Sequence, residues 1–469
     1  MDIPPPPKAA AEVLPELAAF LAPFAPLLHH AHSRQSLDRY LTGLLSDLPR
    51  KNCETIAATV AGTSTERLQH LLTDADWDAA ALTEARVRWL SARSPAAGVL
   101  VLDDTGLPKQ GKASVGVARQ YSGTLGKIGN CQVVVSAEYV ADAPGTSQPL
   151  HWPVNAQLYL PEPWTRDALR RTQARIPAAE TAATKQDRAL ALVDQARAWG
   201  VPFQVVVADA GYGDNPPFLQ GVEDRKLPYV CAVASTFGVR LPEEVQTATR
   251  TAAAPPPAPP RRRGRGQPKK PRPAPLYTVK ALLNAQPEAA WQAVTWREGT
   301  KGALTKPFVA VRVHRATGGA HLPVSDPRVS TGTESWLVGE RPLPGTIGER
   351  KWYVSNLPVD TPLLRLVEVA HARWAVEQFY EDAKGECGLD DYQGRRWDGL
   401  QRHLALVLLA YSFLTVQALT PDATPPNGAF PPSAPAQSAR RPSAGTRLAL
   451  RRPRSLAHSD QPNTAFPTP

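Results

Sequence analysis

Apolar residues recur at spacings of three and four through the first fifth of the chain. In "SLDRYLTGLLSDL" the apolar side chains fall on one side of a helix, and "STERLQHLLTDADWDAAALTEARVRWL" continues the pattern with Ser64 or Thr65 as its N-cap. The pattern predicts a small helical domain over residues 1–95.

The pattern changes after residue 95 to short apolar runs bounded by glycine and proline. "GVLVLDDTG", "NCQVVVSAEYV", "PVNAQLYLPE" and "FQVVVADAGYG" are typical of strands, and "KQDRALALVDQARAWG" is typical of a helix that ends at Gly200. The run from Val205 to Ala208 does not alternate with polar residues, as expected of a strand covered on both faces. These segments predict an α/β layer over residues 96–240.

Strand patterns return from Leu276 to about Ser355 in "KPFVAVRVHR", "ESWLVGERPL" and "KWYVSNLP". They predict a mostly β insertion, to which we assign residues 276–350. "TPLLRLVEVAHARWAVEQFYEDAKGECGL" then predicts one long helix closed by Gly385 or Gly388. A second helix, "LQRHLALVLLAYSFLTVQAL", is apolar nearly all round and is expected to be buried. Both helices fall within residues 351–420.

Two segments lack any periodicity. Residues 241–275 include "PPPAPPRRRGRGQPKKPRP", and residues 421–469 are rich in proline, alanine, serine and arginine. Such compositions bury too little apolar area to offset the entropy of ordering, so both are expected to be disordered. For the arginines of the first segment, three interpretations stay open: reading of a DNA minor groove, non-specific phosphate attraction, or a solvated linker. These arginines are Arg261, Arg262, Arg263 and Arg265.

Charge and composition narrow the class of partner. The 469-residue chain has a formal net charge of +10, which favours polyanionic partners because clustered cations release counterions from phosphate backbones. No stretch approaches the roughly 20 apolar residues of a membrane span, and the first residues lack the order of a secretory signal, so we expect a cytoplasmic protein without a membrane contact. Its four cysteines form no CxxC pair, which predicts reduced thiols and neither a zinc cage nor a disulfide framework.

Carboxylates follow two of the predicted buried strands. "VLVLDD" ends in Asp103 and Asp104, and "VVVAD" ends in Asp209. Glu377 lies on the predicted long helix, on one face with Arg373 four residues before it. Asp, Asp and Glu suit Mg²⁺, and a pair of such ions supports phosphoryl transfer. The alternatives are that the aspartates cap turns and that the glutamate is a solvated ion pair.

Three blocks of the sequence resemble a known family. "DDTGLPKQGKASVGVARQYSGTLGKIGNCQVVVS", "ADAGYG" and "RWAVEQFYEDAKGECGLDDYQGRRWDGLQRHLALVLLAYSFL" are similar to the catalytic blocks of DDE-type transposases of bacterial insertion sequences, in the cut-and-paste branch and the family numbered seven hundred and one. The resemblance covers residues 35–416. It implies an α/β fold with a ribonuclease-H-like catalytic core, a mixed sheet flanked by helices, preceded by the small helical domain.

The same resemblance implies a set of catalytic and metal-binding residues. The family's Asp-Thr pattern falls on Asp104 and Thr105, so Asp104, Asp209 and Glu377 are expected to hold two Mg²⁺ ions, for which Mn²⁺ can substitute. Asp103 then has no assigned role. The family's helix signature of Tyr, Arg, Glu and Lys is matched by Arg373, Glu377 and Lys384, whereas Ala370 stands at the tyrosine position.

Further contacts with DNA follow from the resemblance or from the lysine-rich loop. Arg373 and Lys384 are expected to hold phosphates, and Trp352 either stacks on a flipped base or belongs to the core. Lys109, Lys112 and Lys127 either contact DNA or are solvated. The helical domain either recognises DNA ends or only packs.

The function implied is cut-and-paste DNA transposition. The protein is expected to bind the double-stranded terminal inverted repeats of an insertion sequence as a homodimer, associated with the nucleoid, and to catalyse metal-dependent strand cleavage and strand transfer. Two alternatives stay open. One is a degenerate relative that binds DNA without cutting it, with a frameshifted tail as the cause, and the other is a nuclease of the same fold that hydrolyses but never joins.

Overall fold

The computed structural model of the chain describes residues 14–122, 126–142, 149–253, 273–299, 302–316 and 331–419. The α-helices are α1 (Pro15–Leu21), α2 (Ala31–Leu44), α3 (Cys53–Thr59), α4 (Thr65–Thr73), α5 (Ala79–Ser91), α6 (Glu162–Arg166), α7 (Ala168–Gln173), α8 (Lys185–Ala198), α9 (Ala210–Gly213), α10 (Pro216–Asp224), α11 (Pro242–Ala253), α12 (Val279–Asn284), α13 (Leu363–His371), α14 (Trp374–Cys387) and α15 (Trp397–Leu419). The strands are β1 (Gly98–Pro108), β2 (Ala118–Ser122), β3 (Lys127–Ala141), β4 (Leu150–Tyr159), β5 (Phe203–Ala208), β6 (Tyr229–Val233), β7 (Gly238–Arg240), β8 (Tyr277–Thr278), β9 (Gln292–Gly299), β10 (Gly302–Ala316), β11 (Thr331–Glu340) and β12 (Lys351–Ser355).

Helices α1 to α5 lie where the apolar periodicity predicts them. The Ser64 side chain accepts a hydrogen bond from the Arg67 N–H, so Ser64 is the N-cap of α4. Helices α2, α4 and α5 pack against α15, and their buried side chains belong to the same hydrophobic core as the sheet. The helical segment therefore contributes to the central core, while the domain boundaries stay predictions.

One mixed sheet runs through the described part of the chain. Its strands follow the order β2-β3-β1-β5-β6-β12-β11-β10-β7-β8, with β4 also paired to β3 and β9 to β10. Strand β1 is antiparallel to β3 and parallel to β5, and β5 is parallel to β6. Leu102 of β1 lies opposite Ala208 of β5, so the two strands predicted to end in carboxylates are neighbours.

The predicted β insertion forms part of this same sheet. Strand β12 pairs with β6, and β11 and β10 follow it outward, so the insertion extends the central sheet beyond β6. The fold is therefore mixed α/β, with helices on the sheet, as the sequence predicts.

The prediction of one long helix over residues 361–389 is wrong, because the segment forms α13 and α14. The break falls at Ala372 and Arg373, and Arg373 is the N-cap residue of α14. Neither proline nor glycine is present there; instead the Arg373 side chain binds carboxylates on β1 and α14, and the flanking Trp374 packs under Arg297. Gly388 ends α14 in the left-handed conformation, φ 65°, as one of the two predicted stops.

Helix α15 is the apolar helix predicted to be buried. It is long and apolar enough to cross a membrane, but 78% of its apolar window is buried inside the fold. Its apolar surface is used for packing against β4, α4 and α5.

Some of the predicted features lie outside the described residues. Arg261, Arg262, Arg263 and Arg265, and the tail over residues 421–469, lie outside the described residues. The four cysteines are free thiols, and three of them are buried.

Candidate active site

The two adjacent aspartates of β1 meet different helices. Side chains alternate between the faces of a strand. Asp103 lies opposite Ser136 of β3, and the Ser136 hydroxyl is 2.6 Å from the hydroxyl of Tyr380 on α14. Asp104 lies opposite Val135, and its carboxylate meets α8 and α9 on the other face. The two aspartates are adjacent in the sequence, but their side chains lie on opposite faces of β1.

Arg373 joins the α14 face of β1 to the predicted glutamate. Its Nη1 donates to Oδ2 of Asp103 at 2.9 Å, and its Nη2 donates to Oε1 of Glu377 one turn further along α14. Burial lowers the pKa of Arg373, but the charges of Asp103, Glu377 and Asp209 outweigh burial and raise it. One guanidinium therefore binds carboxylates from β1 and α14, and the charge of Asp209 after β5 also acts on it.

Asp209 stands directly after β5. Its Oδ1 accepts a hydrogen bond from the Gly211 N–H at 2.9 Å, so it caps the short helix α9. Burial raises its pKa, Arg373 lowers it, and the charge of Asp104 raises it further. Asp209 therefore caps a helix, as one of the alternatives predicts. Its charge nevertheless still acts on Asp103 and Arg373.

Asp103 is only partly compensated by Arg373. Burial raises its pKa to about 7, the charge of Asp209 adds to the rise, and Arg373 counteracts only part of it. Its side chain is 13% exposed, so water screens it poorly. Two carboxylates that repel each other in a buried place favour the arrival of a further cation.

Asp104 has partners of its own on the opposite face. Its Oδ1 accepts from Nζ of Lys185 at 2.9 Å, and its Oδ2 accepts from the Tyr212 hydroxyl at 3.3 Å. Lys185 begins α8, and Tyr212 lies three residues after Asp209. Asp104 therefore has an ion pair of its own with Lys185, whereas Arg373 offsets only part of the rise in the pKa of Asp103.

Lys384, at the other end of α14, reaches the same strand. Its Nζ donates to Oγ1 of Thr105 at 2.7 Å, while burial lowers its pKa and Asp390 partly offsets this. With Tyr380 on Ser136, the contact fixes α14 across β1 and β3. Arg373, Glu377 and Lys384 thus share one face of α14, as their spacing predicts.

The other predicted DNA-binding residues occupy different surroundings. Nζ of Lys109 donates to the carbonyls of Asp390 at 2.9 Å and Tyr392 at 2.7 Å, and burial lowers its pKa to about 8, so this lysine holds the fold together. Lys112 and Lys127 are exposed. Trp352 is half-buried on β12 and packs against the core. Ala370 is buried on α13.

The cluster contains the donor types that suit a hard divalent cation, although its carboxylates are not gathered around one point. Within the described segments, no three Asp, Glu, His or Cys side chains are arranged to hold a metal ion. Arg373 lies between Asp103 and Glu377 and satisfies both. The oxygen donors of Asp103, Asp209 and Glu377 suit a hard divalent cation in type, and Arg373 occupies the place between two of them.

Sequence reasoning missed Lys185, Tyr212, Ser136 and Tyr380. A signal existed for Lys185: it is the first residue of α8 after the Thr184 cap, where the helix dipole disfavours a cation. A lysine at that position indicates a nearby carboxylate. The tyrosines and the serine carried no such signal, because their roles depend on the packing of α14 and α9 on the sheet.

Comparison with known proteins identifies the family of the chain. A protein 29% identical over 206 residues is described as "Probable transposase for insertion sequence element IS701" from Microchaete diplosiphon, and the aligned part is 43% of this chain and 50% of that protein. The chain thus spans about half the length of the curated relative that it matches. The family profile described as DDE superfamily endonuclease matches residues 23–303, a segment that includes β1 and β5 and ends before α14. Since this match covers more than half of the 469 residues, the chain belongs to the DDE superfamily endonuclease family.

Proposed function

We propose that this protein is an insertion-sequence transposase that binds the terminal inverted repeats of its element and cleaves and joins DNA strands with divalent metal ions. The observation that carries the proposal is that Arg373 binds both Asp103 of β1 and Glu377 of α14, while Asp209 directly follows β5, the strand that neighbours β1. Family membership and the transposase relative support the same activity.

The strand arrangement supports a ribonuclease-H-like core. Along the chain come antiparallel β1, β3 and β4, then α8 and parallel β5, then α10 and parallel β6. In space these strands follow the order β4-β3-β1-β5-β6. Ligands in open α/β sheets bind beyond the carboxyl ends of such parallel strands, which is where Asp209 stands.

We assign the first metal ligand to Asp103, whereas the family resemblance points to Asp104. The contacts favour Asp103 because it shares the α14 face with Arg373 and Glu377, and because its charge is poorly compensated. Asp104 is ion-paired to Lys185, so we give it a positioning role beside Asp209. Asp104 remains the alternative ligand.

In the proposed reaction Asp103, Asp209 and Glu377 would hold the ions, with Mg²⁺ as the natural choice. When bound, Mg²⁺ would neutralise charge that develops on the phosphate in the transition state. Arg373, released from its carboxylates, would hold a phosphate oxygen through its planar fork of donors. Lys384 beside Thr105 would hold the strand further along α14. The protein's part is mainly positioning and fixed positive charge.

The test is strand cleavage of the DNA that flanks the coding sequence. We expect Asp209→Ala and Glu377→Gln each to lower the Mg²⁺-dependent cleavage rate by roughly 10³-fold or more, because the barrier loses its metal-based stabilisation. Glu381→Gln is the matched control, since Glu381 is exposed one turn after Glu377 on the same helix. DNA binding in Ca²⁺ is expected to persist in all three variants.

The products distinguish the competing functions. Cleaved strands joined to a second duplex support a transposase, whereas cleavage without joining indicates a nuclease that only hydrolyses. Binding without cleavage by the unaltered protein indicates a degenerate relative, and cleavage that survives both substitutions removes the proposed site. Assembly as a homodimer on DNA and association with the nucleoid belong to the proposal, and a mass measurement of the DNA complex tests the former.

A further inference from the structure

The hairpin of β2 and β3 exposes an apolar pair at the edge of the sheet. Tyr121 of β2 lies directly opposite Ile128 of β3, and each is 59% exposed. Arg119 precedes Tyr121 by two residues, so it lies on the same face of the hairpin and is also exposed. A partner that covers this pair would remove its apolar surface from water, which favours binding.

The base of the hairpin is held firmly. Nδ2 of Asn130 donates to the carbonyls of Lys109 at 2.7 Å and Gly111 at 2.8 Å, and Nε2 of Gln132 donates to the Val115 carbonyl at 2.7 Å. Lys109 is in turn bound to the segment that follows α14. The exposed pair therefore has a fixed position relative to the candidate site.

The exposed pair lies on the same face of the sheet as the site. Strand β3 pairs with β1 without a register shift from Cys131 to Val140, and with β2 without one from Lys127 to Cys131. Ile128 and Ser136 are eight residues apart on this strand, so both face the side covered by α14. Helix α14 runs from Arg373 towards Lys384, and the hairpin continues in that direction beyond it.

Charge identifies the partner that this surface fits. Residues 105–137 contain no Asp or Glu, and their exposed cations are Lys112, Arg119 and Lys127, since Lys109 is bound to backbone carbonyls. Next to this segment, Nη2 of Arg170 donates to the Lys112 carbonyl at 2.8 Å, which adds another cation. A basic surface with an apolar centre suits a nucleic acid duplex, whose phosphates flank apolar sugar and base surfaces.

We propose that the β2–β3 hairpin binds the DNA duplex beside the cleaved phosphate, with Arg119 on a phosphate and with Tyr121 and Ile128 against sugars and bases. This inference rests on the proposed function, because it continues the path of the DNA from Arg373 and Lys384 to the edge of the sheet. It assigns a DNA contact outside the carboxylate cluster.

The experiment measures binding of a duplex taken from the DNA that flanks the coding sequence, with Ca²⁺ in place of Mg²⁺. We expect Tyr121→Ser combined with Ile128→Ser to weaken binding about tenfold, as for loss of one aromatic contact with a base, at every salt concentration. Arg119→Ala is expected to lower the slope of log affinity against log salt by about one, because one phosphate contact is lost. Tyr121→Phe keeps the ring and is expected to bind as the unaltered protein does.

Ile347→Ser is the matched control, since Ile347 is exposed outside the hairpin. All variants change exposed side chains, and equal melting temperatures show that they fold. If the hairpin variants bind like the control while the unaltered protein cleaves, the hairpin proposal fails and the proposed function stands. If the unaltered protein neither binds nor cleaves this DNA, both fail.

Discussion

Glu340 and Asp103 are both buried carboxylates of the same sheet, yet their surroundings differ. Glu340 ends β11, where it accepts from the Tyr353 hydroxyl at 2.9 Å, binds Nζ of Lys306 and lies 3.2 Å from Nε2 of His371. Burial raises its pKa, but His371 and Lys306 outweigh burial and bring it to about 2. Asp103 shares a single arginine with other carboxylates, and burial raises its pKa to about 7.

The difference separates a structural charge from a functional one. Three partners compensate Glu340 completely, so its charge stabilises the junction of the insertion with α13. Asp103 has one ion pair, and burial and the charge of Asp209 raise its pKa, as is typical of carboxylates at functional sites. The two carboxylates contact the same segment of the chain. His371, which lies beside Glu340, ends α13 two residues before Arg373, which binds Asp103.

The largest expected effect is on catalysis. Asp103→Asn removes one charge with almost no change of shape, and we expect it to lower the Mg²⁺-dependent cleavage rate by roughly 10³-fold or more. Asp104→Asn is the matched substitution one residue further on, and we expect a loss of about tenfold because positioning alone is disturbed. Single-turnover cleavage of the flanking DNA measures both.

The reverse ranking would reassign the metal ligand to Asp104, as the family resemblance implies. Equal and small losses would mean that neither aspartate of β1 holds the ions. Either result would also mean that Asp103 does not differ in function from Glu340, because Asp103 would then bind no metal ion.

The next effect is on stability and falls on Glu340. We expect Glu340→Gln to lower the free energy of unfolding by about 3 kcal/mol, because Lys306 loses its buried counter-charge. Urea unfolding at pH 7 measures it. Glu334→Gln is the control on the same strand: Glu334 is exposed and paired with Arg312, and its replacement is expected to cost less than about 1 kcal/mol.

The pH dependence of Glu340 has a defined sign. Its pKa is depressed in the folded state from the model-compound value of 4.5 to about 2, so its contribution is complete above pH 4.5 and is lost as the pH falls towards 2. Glu340→Gln removes this loss, so its stability is expected to fall less steeply than that of the unaltered protein between those pH values. Parallel curves would show that Glu340 is not compensated as described.

The sequence predicted that two neighbouring buried strands carry the aspartates, but only Asp209 stands at a strand end, because β1 continues to Pro108 past Asp103 and Asp104. Runs of valine and leucine before Asp103 and Asp209 are enough to predict neighbouring buried strands, and the three- and four-residue spacing on α14 predicts that Arg373 and Glu377 meet. The choice between Asp103 and Asp104 depends on which face α14 covers, and no local pattern records that. The break before α14 could not be predicted from a local pattern either, because Arg373 there binds Asp103 on a strand about 270 residues earlier in the chain.

The smallest effect tests the charge of Asp103 without any reaction. Because its pKa is raised to about 7 from 3.8, its charge opposes folding at pH 8, and the opposition disappears as the pH falls from about 7 towards 3.8. Asp103→Asn is therefore expected to stabilise the metal-free protein at pH 8, by about 1 to 2 kcal/mol, since the loss of the Arg373 ion pair offsets part of the gain. Urea unfolding with a chelator present measures this change, which is opposite in sign to that of Glu340→Gln.

Mg²⁺ is expected to raise the melting temperature of the unaltered protein and not that of the variant, because binding to the folded state stabilises it. A destabilised variant at pH 8 would show that Arg373 compensates Asp103 as fully as Lys306 and His371 compensate Glu340, and the uncompensated charge that distinguishes the candidate site would then be absent.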